Sequence, residues 1–187
     1  MLVLVVVGIG ALAYAVGRPH VEHAVDEIAL PLRHEDIIRQ QAREKGLDPA
    51  LVAGVIYAES RFRDNQESSA GAMGLMQVTP DTARDIARES GANAFQIGDL
   101  HTADVNIRYG TWRLRDMLQR FDGNVFLAVA GYNAGPENAK RWRASAAAEG
   151  KRVTLSTITF PETRHYVEKV LAAREDYRRA YPRELGL

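Results

Sequence analysis

Glu59 and Ser60 close the run PALVAGVIYAES, and Glu59 is the only acid in it. At about 100° per residue, Glu59 falls within about 20° of Val52, seven positions earlier. A helix with this spacing turns Val52, Val55 and Ile56 to one side and carries Glu59 with them. Burial disfavours a charged carboxyl, and so does the negative end of the helix dipole. The pKa of Glu59 is therefore expected above the ordinary carboxyl range. An acid that keeps its proton near neutral pH is what general-acid catalysis requires. The competing reading turns Glu59 to water or pairs it with Arg61 or Arg63.

The next chemically suggestive stretch is SSAGAMGLMQVTP, residues 68–80. Gly71 and Gly74 permit a sharp path and let backbone approach a ligand closely. Gln77 offers an amide just ahead of the next helix. Such a loop suits neutral ligands rich in hydroxyl and amide groups. It lacks the Gly-Lys-Ser/Thr ending of a phosphate-binding loop. His20 and His23 are spaced by three, but there is no His-Glu-x-x-His motif, and no metal or cofactor is expected. The absence of cysteine excludes disulfides, thiolate ligands and a cysteine nucleophile. A formal net charge of +0 gives no sign of a nucleic-acid partner or an acidic membrane surface.

The elements that must position these residues read as helices. The chain has 187 residues, enough for one domain with a short extra segment. Residues 1–16 are apolar without a break, shorter than the roughly 20 residues of a usual spanning helix. Ala13 to Ala15 match a small-x-small cleavage site, although no Lys or Arg precedes the run and Arg18 follows it. Residues 1–17 are read as a signal peptide or membrane anchor, with possible membrane contact and an exported protein as the consequence. Residues 18–31 read as a linker, 32–180 as a single all-α domain and 181–187 as a C-terminal tail. Asp48-Pro49 and Thr79-Pro80 are helix starts, and Gly46 and Gly91 are helix stops. Residues 103–121 carry apolar side chains at helical spacing, and VFLAVAGY reads as a helix buried on all sides. Residues 136–148 read as an exposed helix. VTLSTITF, residues 153–160, is the one strand-like run, with a loop as its alternative. The last helix is expected from about Glu162 to Ala180.

Four short motifs occur in order: Glu59-Ser60, GAMGLMQ at 71–77, GYNAG at 131–135 and PETRHYV at 161–167. Together they resemble the soluble-lytic-transglycosylase (SLT) domain of bacteria, a family that is also similar to goose-type lysozyme. NIRYG at 106–110 resembles the segment between the second and third motifs. The likeness spans roughly residues 31 to 175 and implies a lysozyme-like helical domain with a substrate cleft. It implies that Glu59 is the catalytic acid and that Ser68 orients substrate beside it. Gly74, Leu75, Met76 and Gln77 match the motif lining the cleft, with Gln77 on sugar. Tyr132 and Asn133 match the Tyr-Asn pair, the tyrosine standing near the catalytic carboxyl. Glu162 and Tyr166 match the motif that walls the sugar site. Gly131 departs from the alanine common at that position. Plain packing is the competing reading for Met76, Tyr132, Tyr166, Trp112 and Trp142, and helix-end hydrogen bonding for Ser60.

The implied reaction is cleavage of the β-1,4 bond between N-acetylmuramic acid and N-acetylglucosamine in peptidoglycan glycan strands, without water. Glu59 serves as acid, then as base, and the product ends in a 1,6-anhydro sugar. One alternative is a hydrolytic lysozyme, with Asp64, Glu67 or Asp81 holding a water. The other is a wall-binding module without catalysis.

Overall fold

The computed structural model describes residues 30–92 and 94–187. The segment 1–17, most of the linker 18–31, and His20 and His23 lie outside the described residues. Among the described residues no helix is long and apolar enough to cross a membrane. The helices are α1 (Glu35–Lys45), α2 (Pro49–Ser60), α3 (Pro80–Ser90), α4 (Ala103–Arg120), α5 (Val125–Ala134), α6 (Pro136–Ala148), α7 (Pro161–Ala180) and α8 (Pro182–Leu185). Two 3-10 turns, Ile97–His101 and Leu155–Thr157, interrupt the connections. The described residues contain no strand. Isolated bridges link Met73 to Glu67 and to Val78.

Local signals explain the helix ends. The Asp48 carboxylate accepts from the Ala50 N–H at 3.0 Å, and Pro49 occupies the first helical position, where no N–H is needed. The Thr79 hydroxyl accepts from the Thr82 N–H at 3.3 Å. Gly46 and Gly91 close α1 and α3 in the left-handed region.

Packing is led by α2 and α7. Every residue of α2 from Ala50 to Ile56 is buried. A Cβ on Gly54 would stand 2.9 Å from the Val170 carbonyl oxygen of α7, so only glycine allows this approach. At the start of α2, Asp48 also binds α7. Its carboxylate accepts from Arg174 Nε at 2.6 Å and from Arg178 Nη2 at 2.7 Å. Burial pushes the Asp48 carboxyl up, but the two guanidiniums hold it net below its ordinary range. Beyond this pair, α5 packs on α4, α6 and α7, and α1 packs on α4 and α2.

Three expectations change. Helix α2 has no single core face, because protein surrounds it from Ala50 to Ile56. The VTLSTITF run forms a 3-10 turn rather than a strand. Its β-branched residues meet no partner strand, and only Ile158 is fully buried while Phe160 is exposed. The residues after 180 form α8, with Leu185 buried and α1 and α7 as neighbours.

Candidate active site

Glu59 sits in the last turn of α2, partly open to solvent but closely surrounded by protein. The buried Tyr166 hydroxyl, on α7, donates to Glu59 Oε1 at 2.7 Å. The close passage of α2 over α7 at Gly54 brings the two side chains together. Burial raises the Glu59 pKa from 4.5 to about 7, against the hydrogen bond from Tyr166 and the charges of Arg113 and Lys169. Lys169 lies one turn beyond Tyr166 and donates to the Ala58 carbonyl at 2.9 Å. Arg61 does not pair with Glu59. Its guanidinium lies 5.7 Å from the Tyr57 ring centre instead, and neither Arg61 nor Arg63 is among the charges acting on Glu59. The reading of Glu59 as a solvated or arginine-paired surface acid is thereby set aside. Ser60 is a helix-end residue, its buried hydroxyl donating to the Ile56 carbonyl at 3.1 Å.

The glycine loop is held by hydrogen bonds to its backbone. Asn106, buried on α4, is the main anchor. Its Oδ1 accepts from the Met76 N–H at 2.8 Å. Its Nδ2 donates to the carbonyls of Met73 at 2.8 Å and Leu100 at 2.9 Å. Gly74 has φ 74, and a Cβ there would stand 2.2 Å from Asn106 Nδ2, so conformation and space both require glycine. Four residues along the same face of α4, a Cβ on Gly110 would stand 2.4 Å from Met76 Sδ. The Tyr132 hydroxyl, from the end of α5, donates to the Met76 carbonyl at 2.9 Å.

The residues of the expected site also have partners within the protein. Leu75 and Met76 are buried, and their side chains anchor the loop from inside. Tyr132 lies close enough for the Glu59 charge, together with burial, to raise its pKa. Its hydroxyl, however, is committed to Met76, and Tyr166 is the tyrosine that touches the acid. The Ser68 hydroxyl accepts from the Ala72 N–H at 3.0 Å and so closes its own turn. Gln77 spends its amide N–H groups on the carbonyls of Gln66 at 3.1 Å and Gly74 at 2.9 Å. Asn133 is exposed, and its Oδ1 accepts from the Thr163 hydroxyl at 2.7 Å. Glu162 is exposed in the first turn of α7. Trp142 is buried against Phe160, and Trp112 lines a separate cavity with Phe95 and Tyr109.

The carboxylates considered for water activation are engaged elsewhere or open to solvent. Asp64 binds Arg33 and His34, each at 2.5 Å. Asp81 is 92% exposed and pairs with Arg84, and Glu67 is exposed. Sequence reasoning missed the roles of Asn106 and Arg113. A polar residue and a glycine four apart within an apolar helical pattern were the available sign for Asn106.

The arrangement can donate and retake one proton at Glu59, beside a loop that presents backbone and amide groups. The transglycosylase SLT domain family matches residues 36–155. The soluble lytic murein transglycosylase of Salmonella typhimurium is 32% identical over 154 residues, covering 81% of this chain and 24% of that protein. The lytic transglycosylase Slt of Pseudomonas aeruginosa, solved as an inactive mutant, superimposes with TM-score 0.76 at 32% identity, over 82% of this chain and 25% of that one. The soluble lytic transglycosylase of Escherichia coli gives TM-score 0.76 at 30% identity, over 82% and 25%. The chain spans about a quarter of the length of the curated relatives it matches. The matched segment contains Glu59, the glycine loop and Tyr132, and the superposition extends across the helical domain. The chain therefore belongs to the transglycosylase SLT domain family.

Proposed function

We propose that the protein is a peptidoglycan lytic transglycosylase, exported to the cell envelope, that cuts the N-acetylmuramic acid–N-acetylglucosamine bond and leaves a 1,6-anhydro end. The observation that carries this reading is the single desolvated carboxyl of Glu59, held at about 7 and hydrogen-bonded by Tyr166. Names and structures of the relatives support the reaction class. The apolar N-terminal run supports export, and the substrate is a wall polymer.

The reaction needs one group that is acidic and then basic. Tyr166 donates to Oε1, so the transferable proton sits on Oε2. Glu59 gives that proton to the glycosidic oxygen as the bond to C1 breaks. The C6 hydroxyl oxygen of the muramoyl sugar then bonds to C1, and its proton passes to the Glu59 carboxylate. The proton count is restored without water and without a cofactor. A hydrolytic route calls for a second carboxylate to hold water, and Asp64, Glu67 and Asp81 are engaged or solvated as described.

The test is digestion of purified peptidoglycan with mass analysis of the products. Anhydromuramoyl ends are expected, and Glu59→Gln should cut the rate by about 10²- to 10⁴-fold. Ordinary reducing ends would make the protein a lysozyme. Undiminished cleavage by Glu59→Gln would remove Glu59 from the mechanism.

A further inference from the structure

Arg113 takes no part in the mechanism above. It projects from α4 three residues after Gly110, and its guanidinium touches two other elements. Nη2 donates to the Tyr132 backbone carbonyl at 2.9 Å. Nη1 donates to the Thr82 hydroxyl, in the first turn of α3, at 2.8 Å. The Arg113 Cζ lies 5.1 Å from the centre of the Tyr132 ring. Thr82 also receives the Thr79 hydroxyl at 2.9 Å, and Thr79 follows Met76 by only three residues. Since the Tyr132 hydroxyl binds the Met76 carbonyl, the circuit closes on itself. It runs from the loop to the start of α3, to Arg113, to Tyr132 and back to the loop.

We infer that Arg113 is a positioning residue for the acid, gripping the end of α5 and the start of α3 so that Tyr132 and the glycine loop keep their places beside Glu59. The inference rests on Glu59 being the acid. A second observation sets Arg113 apart from an ordinary structural anchor. Among the described residues its Nε is buried without a hydrogen-bond partner. The guanidinium also supplies more than its two bonds. What it adds is charge. That charge acts on Glu59, Tyr132 and Tyr166 together. The other groups acting on Glu59 are Tyr166 and Lys169, both from α7. Lys169 is itself under the influence of Arg61 and Arg63. Arg113 is the cation that reaches the carboxyl from the α4 side.

The consequence concerns the first half of the reaction, when the carboxyl gives up its proton. Burial alone keeps Glu59 protonated but makes it a weaker acid. A fixed cation from the protein side restores the carboxylate as an accessible state. Arg113→Met should therefore move the Glu59 titration midpoint, and with it the alkaline limb of the pH–rate profile, up by roughly half to one pH unit, while the weaker acid and the lost grip slow cleavage by about tenfold. Arg113→Lys keeps the charge and loses the two-pronged grip. It should return the midpoint toward the parent value while leaving part of the rate loss. The midpoint is read from carbon-13 NMR of labelled glutamate, with Glu59→Gln identifying the signal, and the rate from peptidoglycan digestion across pH. An unmoved midpoint and pH–rate profile in both variants would overturn the inference, even with lowered stability, since that is the pattern of a merely structural residue. A parent protein that cleaves nothing, with the midpoint still shifting in Arg113→Met, would overturn the proposed function and leave only the hold of Arg113 on the Glu59 proton.

Discussion

The two halves of the site are built differently. The acid half joins Glu59 on α2 to Tyr166 on α7, and close helix packing positions it. Gly54 lets the backbones meet, and one hydrogen bond finishes the geometry. The loop half, residues 68–78, has almost no regular structure. Polar side chains position it by taking hold of its backbone: the buried Asn106 and Tyr132 and the loop's own half-buried Gln77. Packing spreads its energy over many contacts and degrades gradually. Polar anchoring concentrates it in a few bonds and fails abruptly, because a lost partner strands buried backbone groups.

Asn106→Ala attacks the loop half and should have the largest effect on the fold. It strands the Met76 N–H and takes a donor from the Leu100 and Met73 carbonyls, the latter keeping the Val78 N–H. A loss of about 3 kcal/mol is expected, seen as a drop of roughly 6–12 °C in Tm. A loss below about 1 kcal/mol would show that the loop does not depend on this anchor.

In the acid half, Glu59→Gln should trade activity for stability, with a pH signature. The folded pKa of about 7 lies above the ordinary 4.5, so folding favours the protonated form. The fold is at full strength below 4.5 and weakens as pH climbs to about 7. Above that range the penalty reaches at most about 3 kcal/mol, less what partial solvent contact relieves. The glutamine variant lacks this penalty. Its Tm should exceed that of the parent near pH 8 and match it near pH 4. Equal Tm values at both pH values would mean that Glu59 is not desolvated.

Gly54→Ala tests the packing itself. The new methyl meets the Val170 carbonyl oxygen and forces α2 from α7. Overpacking of about 1–3 kcal/mol is offset by the roughly 1 kcal/mol helix preference of alanine. Stability should change little while activity falls, because the Glu59–Tyr166 contact opens. Unchanged kcat would separate helix spacing from acid alignment.

The smallest change is Tyr166→Phe. It removes a hydrogen bond that lowers the Glu59 pKa, so the midpoint rises further. The alkaline limb of the pH–rate profile should then move to higher pH. A limb moving to lower pH would reverse the assigned direction of that hydrogen bond.

Most of the acid half was legible in sequence, because its signals are local. Asp48-Pro49 marked the start of α2, helical spacing placed Glu59 among apolar residues, and Gly46 and Gly91 marked stops. The loop half was legible only in its glycines. Its distant anchors, Asn106 and Tyr132, lie 30 and 56 positions from Met76, and nothing in a local pattern tells Asn106 which backbone it holds. Arg113 was invisible for the same reason. The run 153–160 misled because strand propensity expresses itself only when a neighbouring strand offers partners. Leu75 and Met76 shared a motif with Gln77, but their apolar side chains went inward.

The clasp at Asp48 gives α2 the mechanics of a lever. Its pivot is the carboxylate held by Arg174 and Arg178, and its working tip is Glu59. Eleven residues of helix make an arm of about 16 Å at 1.5 Å per residue. A tilt of roughly 3° at the pivot swings the tip by about 0.9 Å, on the scale at which misplacement near 1 Å costs about a hundredfold in rate. A remote ion pair thus shares with the packing on α7 in aiming the acid, and loosening the pivot would blunt the tool without touching its edge.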